Sequence, residues 1–323
     1  MYRLRRPALP LLLALVASAC GGGTGSGGRT FVNLGTAPPG GAFFVVGSAL
    51  SEVLAASTGD RGWQVTAEAT SGSQENIRRL TQGELDFALS NAAITYFAVR
   101  GGEGWDRAYP MRSVMTLAPN VALFIARAGS GIARITDLRG RRVVIGPAGA
   151  GFEFFVQPIL DAHGVSYADF TPLNATQSAA VDMLADGSAA AVFLGGAIPT
   201  ASITQAASSQ DLVFVPFDEQ ARTRLAADYS FFAPATIPAG TYRGQDADFH
   251  GLDVGSMHLI TSEAQDEDLV YEVTKLLYEQ RQQVVEKHPA GRAINPTNVV
   301  RDTGTPFHPG AIRYYREIGI WPN

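Results

Sequence analysis

The stretch that decides the fold is RVVIGPAGAGFEFFVQPILDAH, residues 142–163. Its first four residues predict a buried strand, and the glycine-rich run 146–151 predicts a tight loop that leads into a helix. The apolar side chains that follow have the spacing of a core-facing helix: Phe152, Phe155, Val156, Ile159 and Leu160. Gly164 is expected to end this helix. The order of strand, loop and helix is typical of a βαβ unit.

A similar series of features occurs in the first half of the chain. Both halves read as strand, glycine-rich loop, helix, strand, polar loop, helix and strand. In the first half the segments are 31–34, 35–41, 43–56, 64–68, 69–73, a short helix ending at Gly83, and 85–89. In the second half they are 142–145, 146–151, 152–163, 170–173, 174–176, a helix ending at Gly187, and 190–194. This alternation predicts right-handed βαβ units around a mostly parallel sheet in each half.

The predicted fold class is α/β, with two doubly wound α/β domains joined by a hinge of two crossings. We expect the crossings in two extended runs, 121–127 and 254–261, and a helix over 268–285 that packs back on the first domain. The expected division is residues 30–125 plus 255–323 for domain I and residues 126–254 for domain II. One large doubly wound domain is the alternative, but the duplication and the chain length favour two.

The N-terminal 19 residues predict an export signal. Three arginines precede an apolar run, 8–19, that is too short to span a bilayer and ends in small residues. Cys20, the only cysteine of the chain, follows directly. Cleavage before Cys20 could release a soluble protein, but we favour a lipoprotein signal with an acylated Cys20 and a glycine-rich tether over 20–29. The expected location is periplasmic, with membrane contact only through that lipid.

Composition and motifs exclude several classes of function. The formal charge is −5 and becomes −8 once the three signal arginines are removed, and no cluster of Lys and Arg points to nucleic-acid binding. The five histidines lack the spacing of a metal site, and no Gly-x-Ser-x-Gly motif is present. Loop 146–151 resembles a phosphate-binding loop, but Phe152 and Glu153 stand where that loop needs Lys and Ser or Thr. We therefore expect no metal, no cofactor and no enzymatic activity.

The candidate binding site is expected beyond the carboxyl ends of the predicted strands. Loops from both halves would there combine neutral polar groups, apolar side chains and helix N-termini, whose partial positive charge suits a small anion. Ser71 could instead only cap a helix in a capping box with Gln74, and only one of Phe43 and Phe44 should face a ligand. Glu153 is more simply explained as an acidic group in a first helical turn. The candidate ligand-binding residues are Gly41, Phe43, Phe44, Ser71, Gly72, Ser73, Asn91, Gly149, Gly151, Phe152, Glu153, Thr176, Gly195 and Gly196.

Several longer motifs are arranged in a recognisable order. They are residues 35–41, EATSGSQEN at 68–76, GPAGAGFE at 146–153, PATIPAGTY at 234–242, and HPG at 308–310 with Tyr314 and Tyr315. Over residues 31–321 the chain resembles the TAXI family of solute receptors, which serve TRAP (tripartite ATP-independent periplasmic) transporters. The resemblance implies a periplasmic-binding-protein type II fold and a separate permease driven by an ion gradient. It also implies a small carboxylate solute, such as a glutamate-like amino acid or a dicarboxylate.

Two details of the cleft loops bear on this resemblance. They contain no arginine, which agrees with it because the other large class of TRAP receptors uses an arginine clamp. The family often has a tyrosine where residues 42–44 read Ala-Phe-Phe, so one hydroxyl contact is absent here. Two further functions stay open on the sequence: a receptor for an ATP-driven importer or a sensor kinase, and an enzyme on the same two-domain scaffold.

Overall fold

The structure, a computed structural model, describes residues 30–39, 41–102 and 104–322. The predicted signal peptide, Cys20 and the tether lie outside the described residues. The elements before the first crossing are β1 (Thr30–Gly35), α1 (Ala42–Ser57), β2 (Trp63–Glu68), α2 (Ser73–Gln82), β3 (Phe87–Asn91), α3 (Ala92–Arg100) and β4 (Met111–Thr116). The next are β5 (Val121–Arg127), β6 (Arg142–Gly146), α4 (Glu153–Ala162), β7 (Thr171–Asn174), α5 (Gln177–Asp186), β8 (Ala191–Gly196), α6 (Ala201–Ser209), β9 (Leu212–Phe214), α7 (Glu219–Asp228), β10 (Phe232–Ile237) and β11 (Phe249–Val254). The last are β12 (Met257–Ser262), α8 (Glu267–Glu279), α9 (Arg281–Lys287) and α10 (Pro309–Glu317).

The strands form two sheets. The first has the order β2-β1-β3-β12-β4, and the second has the order β10-β11-β5-β8-β6-β7, with β9 also paired to β5. In the first sheet β1 lies parallel to both β2 and β3, and in the second β6 lies parallel to both β7 and β8. A strand from the other half of the chain follows in each case, because β12 runs antiparallel to β3 and β5 runs antiparallel to β8. The internal duplication predicted from the sequence is therefore present in both sheets, which are mixed rather than wholly parallel.

The two crossings are short. The chain leaves the first sheet after Thr116 and enters the second at Val121, and it returns between Val254 and Met257. All of β5 belongs to the second sheet, so the first crossing comes earlier in the sequence than the predicted boundary between residues 125 and 126. A continuous apolar run such as 121–126 predicts a buried strand, but it carries no information about which sheet the strand joins. The division of the chain into two domains at these residues stays a prediction.

The first sheet is covered by the terminal helices. We call this sheet with α1–α3 and α8–α10 the first unit, and the second sheet with α4–α7 the second unit. Val270, Val273 and Leu277 of α8 share a buried core with Val46 and Leu50 of α1. The C-terminal helical segment therefore packs on the first unit, as predicted, although it divides into α8 and α9 at Gln280.

The C-terminal sequence motif, residues 308–310 with Tyr314 and Tyr315, is explained by packing. At the start of α10, His308 Nδ1 accepts a hydrogen bond from the Gly310 N–H at 3.2 Å, and Pro309 occupies the first helical position. Tyr315 is fully buried and its hydroxyl donates to the Val114 carbonyl at 3.0 Å. Burial raises the pKa of Tyr315, so the hydroxyl stays protonated. This motif anchors α10 on β4, far from the loops between the sheets.

Candidate functional site

A pocket lies between the two units, beyond the carboxyl ends of β1, β3, β6 and β8. Its empty volume is about 870 Å³, a figure that includes the open mouth of the pocket. Nine of the fourteen candidate residues line it: Gly41, Phe43, Ser71, Gly72, Ser73, Asn91, Phe152, Thr176 and Gly195. The structure thus brings together loops from both halves, as the strand-end argument predicted. Whether these residues contact a ligand stays a prediction.

The other five candidates lie beside the pocket rather than on its wall. Phe44 follows Phe43 on α1, so only one of the two lines the pocket, as expected for neighbours on a helix. Gly149 is at φ +71° and an added Cβ there would meet no atom within 4 Å. Gly151 and Gly196 instead lie against the opposite unit, where an added Cβ would meet Ile94 Cδ1 at 2.7 Å and Ala42 Cβ at 3.3 Å, respectively. The fifth, Glu153, accepts a hydrogen bond from Gln74 of the first unit and is described below.

Asn91 lines the pocket, but its amide is already used by the protein. Its Oδ1 accepts a hydrogen bond from the Ala93 N–H at 2.8 Å and so caps α3. Its Nδ2 donates to the Gly255 carbonyl at 2.8 Å, within the return crossing. Asn91 therefore fixes α3 to the hinge, and this occupation of its amide was not foreseen from the sequence.

Ser71 does not form the predicted capping box with Gln74. The helix α2 begins two residues later, at Ser73, and its N-cap is Gly72 at φ +118°, which no side chain caps. The carboxylate of Glu75 accepts a hydrogen bond from the Ser71 N–H at 2.9 Å instead. Hydrogen bonding from Ser71 lowers the pKa of Glu75 and keeps it ionised. The left-handed conformation that Gly72 permits is the reason that the spacing was misleading.

Two helix N-termini line the pocket, that of α2 from the first unit and that of α5 from the second. The main-chain N–H groups of Ser73, Gln74, Gln177 and Ser178 take part in no hydrogen bond between described residues. Such first-turn N–H groups carry a partial positive charge and bind anions. Around them, no Asp, Glu, Lys, Arg or His of the described chain lines the pocket. An anionic group placed here would be held by neutral donors from both units.

The pocket wall is largely apolar, and most of its apolar residues were not predicted. They come from the loop after β1, from α3, from β5, from the loop after β6 and from α4: Ala37, Pro38, Pro39, Ile94, Ala122, Pro147, Ala150 and Phe155. Phe155 was assigned to the core stripe of its helix, and it reaches both the core and the pocket. Pro38 and Pro39 lie inside the predicted loop 35–41, so their positions were available from the sequence. Nothing in the sequence marked them as wall residues.

Several polar side chains on the wall also escaped prediction: Thr36, Asn120, Gln177 and Ser178. Gln177 is fully used by the protein, since its Nε2 donates to the Gly195 carbonyl at 2.8 Å and its Oε1 accepts from Ser202 at 2.6 Å. Asn120 lies in the first crossing. In the sequence it stands out only as a single polar residue between Pro119 and the apolar strand β5. It was missed because the crossing was placed too late in the chain.

A buried asparagine of α2 positions the loops around the pocket. Asn76 is fully buried, and its Nδ2 donates to the carbonyls of Thr36 and Leu89 at 2.7 and 2.8 Å. The Thr36 carbonyl lies just beyond β1 and the Leu89 carbonyl lies within β3, so one amide ties the loop after β1 to β3. Thr70 adds a third link through its hydroxyl, which donates to the Thr36 carbonyl at 3.1 Å.

The two units are in direct contact beside the pocket. Gln74 Nε2 of α2 donates to Glu153 Oε1 of α4 at 3.1 Å. Phe154 stacks on Phe97, with ring centroids 5.5 Å apart, and on Trp105 at 5.9 Å. These rings belong to a core cluster that continues from α3 into the second unit. The structure therefore shows the units closed on each other.

A polar cluster joins the two crossings. Asp253 Oδ1 accepts a hydrogen bond from the Asn120 N–H at 3.0 Å, and its Oδ2 lies 3.3 Å from Arg301 Nη2. Ser256 donates to Asp253 and accepts from Arg301. Burial raises the pKa of Asp253, even though Ser256 and Arg301 stabilise its charged form. The hinge is thus tied together by side chains rather than left as free linkers.

His258 lies next to this cluster on β12. Its Nε2 is 2.9 Å from the Thr95 hydroxyl, and its Nδ1 has no partner among the residues that the structure describes. Burial lowers the pKa of His258 to about 3, so the ring is neutral at physiological pH. Across the described ranges no group of three or more His, Cys, Asp or Glu side chains could hold a metal ion. None of the described helices has the length and apolarity needed to cross a membrane.

Comparison with solved structures shows the same overall fold. A protein from Bordetella bronchiseptica RB50 matches with a TM-score of 0.55 at 12% identity, over 91% of this chain and 90% of that one. XAC2383 from Xanthomonas citri, solved bound to ATP, matches with a TM-score of 0.52 at 10% identity, over 90% and 95%. A third structure comes from work on glutathione import via GshT and the cystine ABC importer TcyBC of Streptococcus mutans. It matches with a TM-score of 0.51 at 12% identity, over 80% of this chain and 93% of that one.

Identities this low carry information on the fold alone. The predicted class is confirmed: the chain is mixed α/β with two sheets, the periplasmic-binding-protein type II fold. A family model described as the NMT1-like family matches residues 34–319, which is most of the sequence. The chain therefore belongs to the NMT1-like family.

Proposed function

We propose that this chain is an extracytoplasmic receptor that binds a small carboxylate-containing solute between its two units and delivers it to a TRAP-type permease. The observation that carries the proposal is the pocket between the units, which receives unpaired helix N–H groups from both α2 and α5. A carboxylate bound there would bridge the units, so binding would favour the closed arrangement. A soluble receptor needs this coupling because the permease must distinguish the loaded form from the empty one.

The absence of catalytic chemistry on the pocket wall fits a receptor. The polar side chains on the wall are hydroxyl and amide groups, and no described Asp, Glu, Lys or His lines the pocket to activate a hydroxyl or to transfer a proton. The desolvation of a carboxylate would be offset by several charge-assisted hydrogen bonds from N–H groups. We accordingly propose a binding protein and not an enzyme.

The finer identity rests on the TAXI resemblance of the sequence. On that basis the partner is a TRAP membrane subunit driven by an ion gradient, and the solute is a small carboxylate such as a glutamate-like amino acid or a dicarboxylate. The receptor would be held at the membrane only through a lipid on Cys20, by the tether at 20–29.

A thermal-shift screen of the purified protein against amino acids, keto acids and dicarboxylates tests the binding step. A ligand present at about 100 times its Kd should add about 2.7 kcal/mol to the free energy of unfolding. Ser178→Ala, which removes a pocket hydroxyl that has no hydrogen bond to the described residues, should reduce this gain, while Ser208→Ala on the exposed face of α6 should leave it unchanged. A stabilising neutral or cationic solute, with no effect from any carboxylate, would contradict the proposal.

A receptor for an ABC importer is the second candidate, because the Streptococcus mutans structure of the same fold comes from work on such a system. Transport into proteoliposomes separates the two. The TRAP assignment predicts receptor-dependent uptake that requires an ion gradient and proceeds without ATP. Uptake that requires ATP hydrolysis and ignores the ion gradient would favour the ABC importer.

A further inference from the structure

The buried side chain of Asn120 lines the pocket without a hydrogen-bond partner among the described residues. Asn120 is 8% exposed and lines the pocket, and no hydrogen bond within the described chain reaches its amide. Its main chain is firmly held, because its N–H donates to Asp253 Oδ1 at 3.0 Å and its carbonyl accepts from the Val254 N–H at 2.9 Å. A buried amide without partners costs free energy unless a ligand or water pairs with it. Asn120 is therefore a fixed hydrogen-bonding group presented to the pocket.

The surroundings of this amide limit what it can bind. Phe43, Ile94, Phe152 and Phe155 supply an apolar wall, and no charged side chain of the described residues lies on it. A second carboxylate, or the ammonium group of an amino acid, would be buried against this wall without a counter-charge, which costs several kcal/mol. A neutral carbonyl or hydroxyl oxygen, in contrast, suits the amide of Asn120.

We infer that, within the carboxylate class of the proposed function on which this inference rests, the solute is a monocarboxylate with an apolar tail and one neutral oxygen function. The carboxylate binds the N–H groups at the start of α2 and α5. The tail packs on the aromatic wall, and the Asn120 amide donates to a 2-oxo or 2-hydroxy oxygen. Dicarboxylates and glutamate-like amino acids then bind more weakly, although the sequence resemblance favours them.

A series of four probes tests the inference by calorimetry. The reference is 4-methyl-2-oxopentanoate. Two probes share its carbon skeleton: L-leucine, which has an ammonium group in place of the oxo group, and 4-methylpentanoate, which lacks the oxo group. The fourth probe, 2-oxoglutarate, keeps the 2-oxo acid but has a second carboxylate in place of the apolar tail. We expect the reference to bind at least about 10-fold more tightly than each of the other three, the factor of one lost hydrogen bond or one unpaired charge.

Two asparagine variants near the same crossing separate binding from folding. Asn120→Ala should weaken the binding of 4-methyl-2-oxopentanoate about 10-fold and leave the affinity for 4-methylpentanoate unchanged. It should also leave the Tm of the free protein unchanged, since no described residue forms a hydrogen bond with the amide. Asn298→Ala is the control. Its Nδ2 donates to the carbonyls of Thr116 and Leu117 at 3.1 and 3.0 Å, so this change should lower the Tm without altering the order of the probes.

The outcomes distinguish the inference from the proposed function. Equal or tighter binding of 2-oxoglutarate, L-leucine or 4-methylpentanoate overturns the inference and leaves a carboxylate receptor in place. An equal loss of affinity for 4-methyl-2-oxopentanoate and 4-methylpentanoate in Asn120→Ala overturns the role given to Asn120. If no carboxylate of any kind binds, the proposed function and the inference both fail.

Discussion

Substitution of Gly151 tests whether ligand binding depends on closure of the two units. An alanine Cβ at this position would lie 2.7 Å from Ile94 Cδ1 and 3.2 Å from Gln74 Cγ, both on the first unit. Gly151 is at φ +90°, so Gly151→Ala also strains the backbone, at about 1–2 kcal/mol. Gly149→Ala is the matched control: Gly149 lies in the same loop at φ +71°, and an added Cβ there meets no atom within 4 Å.

The difference between these two variants isolates the crowding between units. Overpacking usually costs about 1–3 kcal/mol. The contacted atoms belong to side chains that can partly move, so we expect the crowded contact to cost about 1–2 kcal/mol. That free energy opposes closure, and it should appear as an affinity for 4-methyl-2-oxopentanoate about 5–30-fold weaker in Gly151→Ala than in Gly149→Ala. The Tm values of the two ligand-free variants should be similar, because an open protein avoids the crowded contact.

Calorimetry gives the two affinities, and differential scanning gives the two Tm values. Equal affinities in the two variants would refute the argument that the loop 146–151 must approach α2 and α3 for binding. A much lower Tm for ligand-free Gly151→Ala, with unchanged affinity, would show that the units form one rigid body instead.

Three further predictions concern stability. Asn76→Ala removes two buried hydrogen bonds to main-chain carbonyls and should lower the free energy of unfolding by about 2–3 kcal/mol in urea titrations; a loss below 0.5 kcal/mol would contradict its role in holding the loops. Phe154→Ala removes the ring that stacks on Phe97 and Trp105, and should lower the free energy of unfolding of the ligand-bound protein by about 3 kcal/mol. Closure requires a smaller loss in the free protein, and denaturation with and without ligand measures both losses. Equal losses would contradict closure. The pKa of buried His258 is lowered to about 3, below its unfolded value near 6.5, so the unfolded chain binds the proton first. The free energy of unfolding should therefore fall as the pH drops from about 7 to 5, by up to about 1.4 kcal/mol per pH unit, and His258→Asn should reduce that slope; an unchanged slope would contradict the neutral buried ring.

The duplicated architecture could be predicted because it is written in local patterns. Apolar runs of four to six residues, glycine-rich loops and helix-period stripes recur in the same order in both halves, and the structure places the corresponding strands as β2-β1-β3 and β7-β6-β8. The exchange of strands between the sheets was harder to predict. The run 121–127 has the composition of a buried strand in either sheet, and only its pairing with β8, β9 and β11 assigns it to the second.

The position of the site was predictable, but the availability of its polar groups was not. Loops that follow parallel strands lie at one edge of a sheet, which is why Ser73, Phe152 and Gly195 meet at one pocket. The sequence alone does not indicate that the amide of Asn91 forms hydrogen bonds with α3 and the return crossing, whereas the amide of Asn120 has no partner in the part of the chain that the structure describes. Such differences depend on three-dimensional hydrogen bonding between segments far apart in the chain.

The most direct test of the central claim is a crystal structure of the protein with the carboxylate that gives the largest thermal shift. The account predicts one solute molecule between the two units, with its carboxylate within hydrogen-bonding distance of the main-chain N–H groups of Ser73 and Ser178. It also predicts that the solute's apolar part lies against Phe152 and Phe155. A solute bound elsewhere, or a carboxylate that makes contact with only one of the two units, would contradict it.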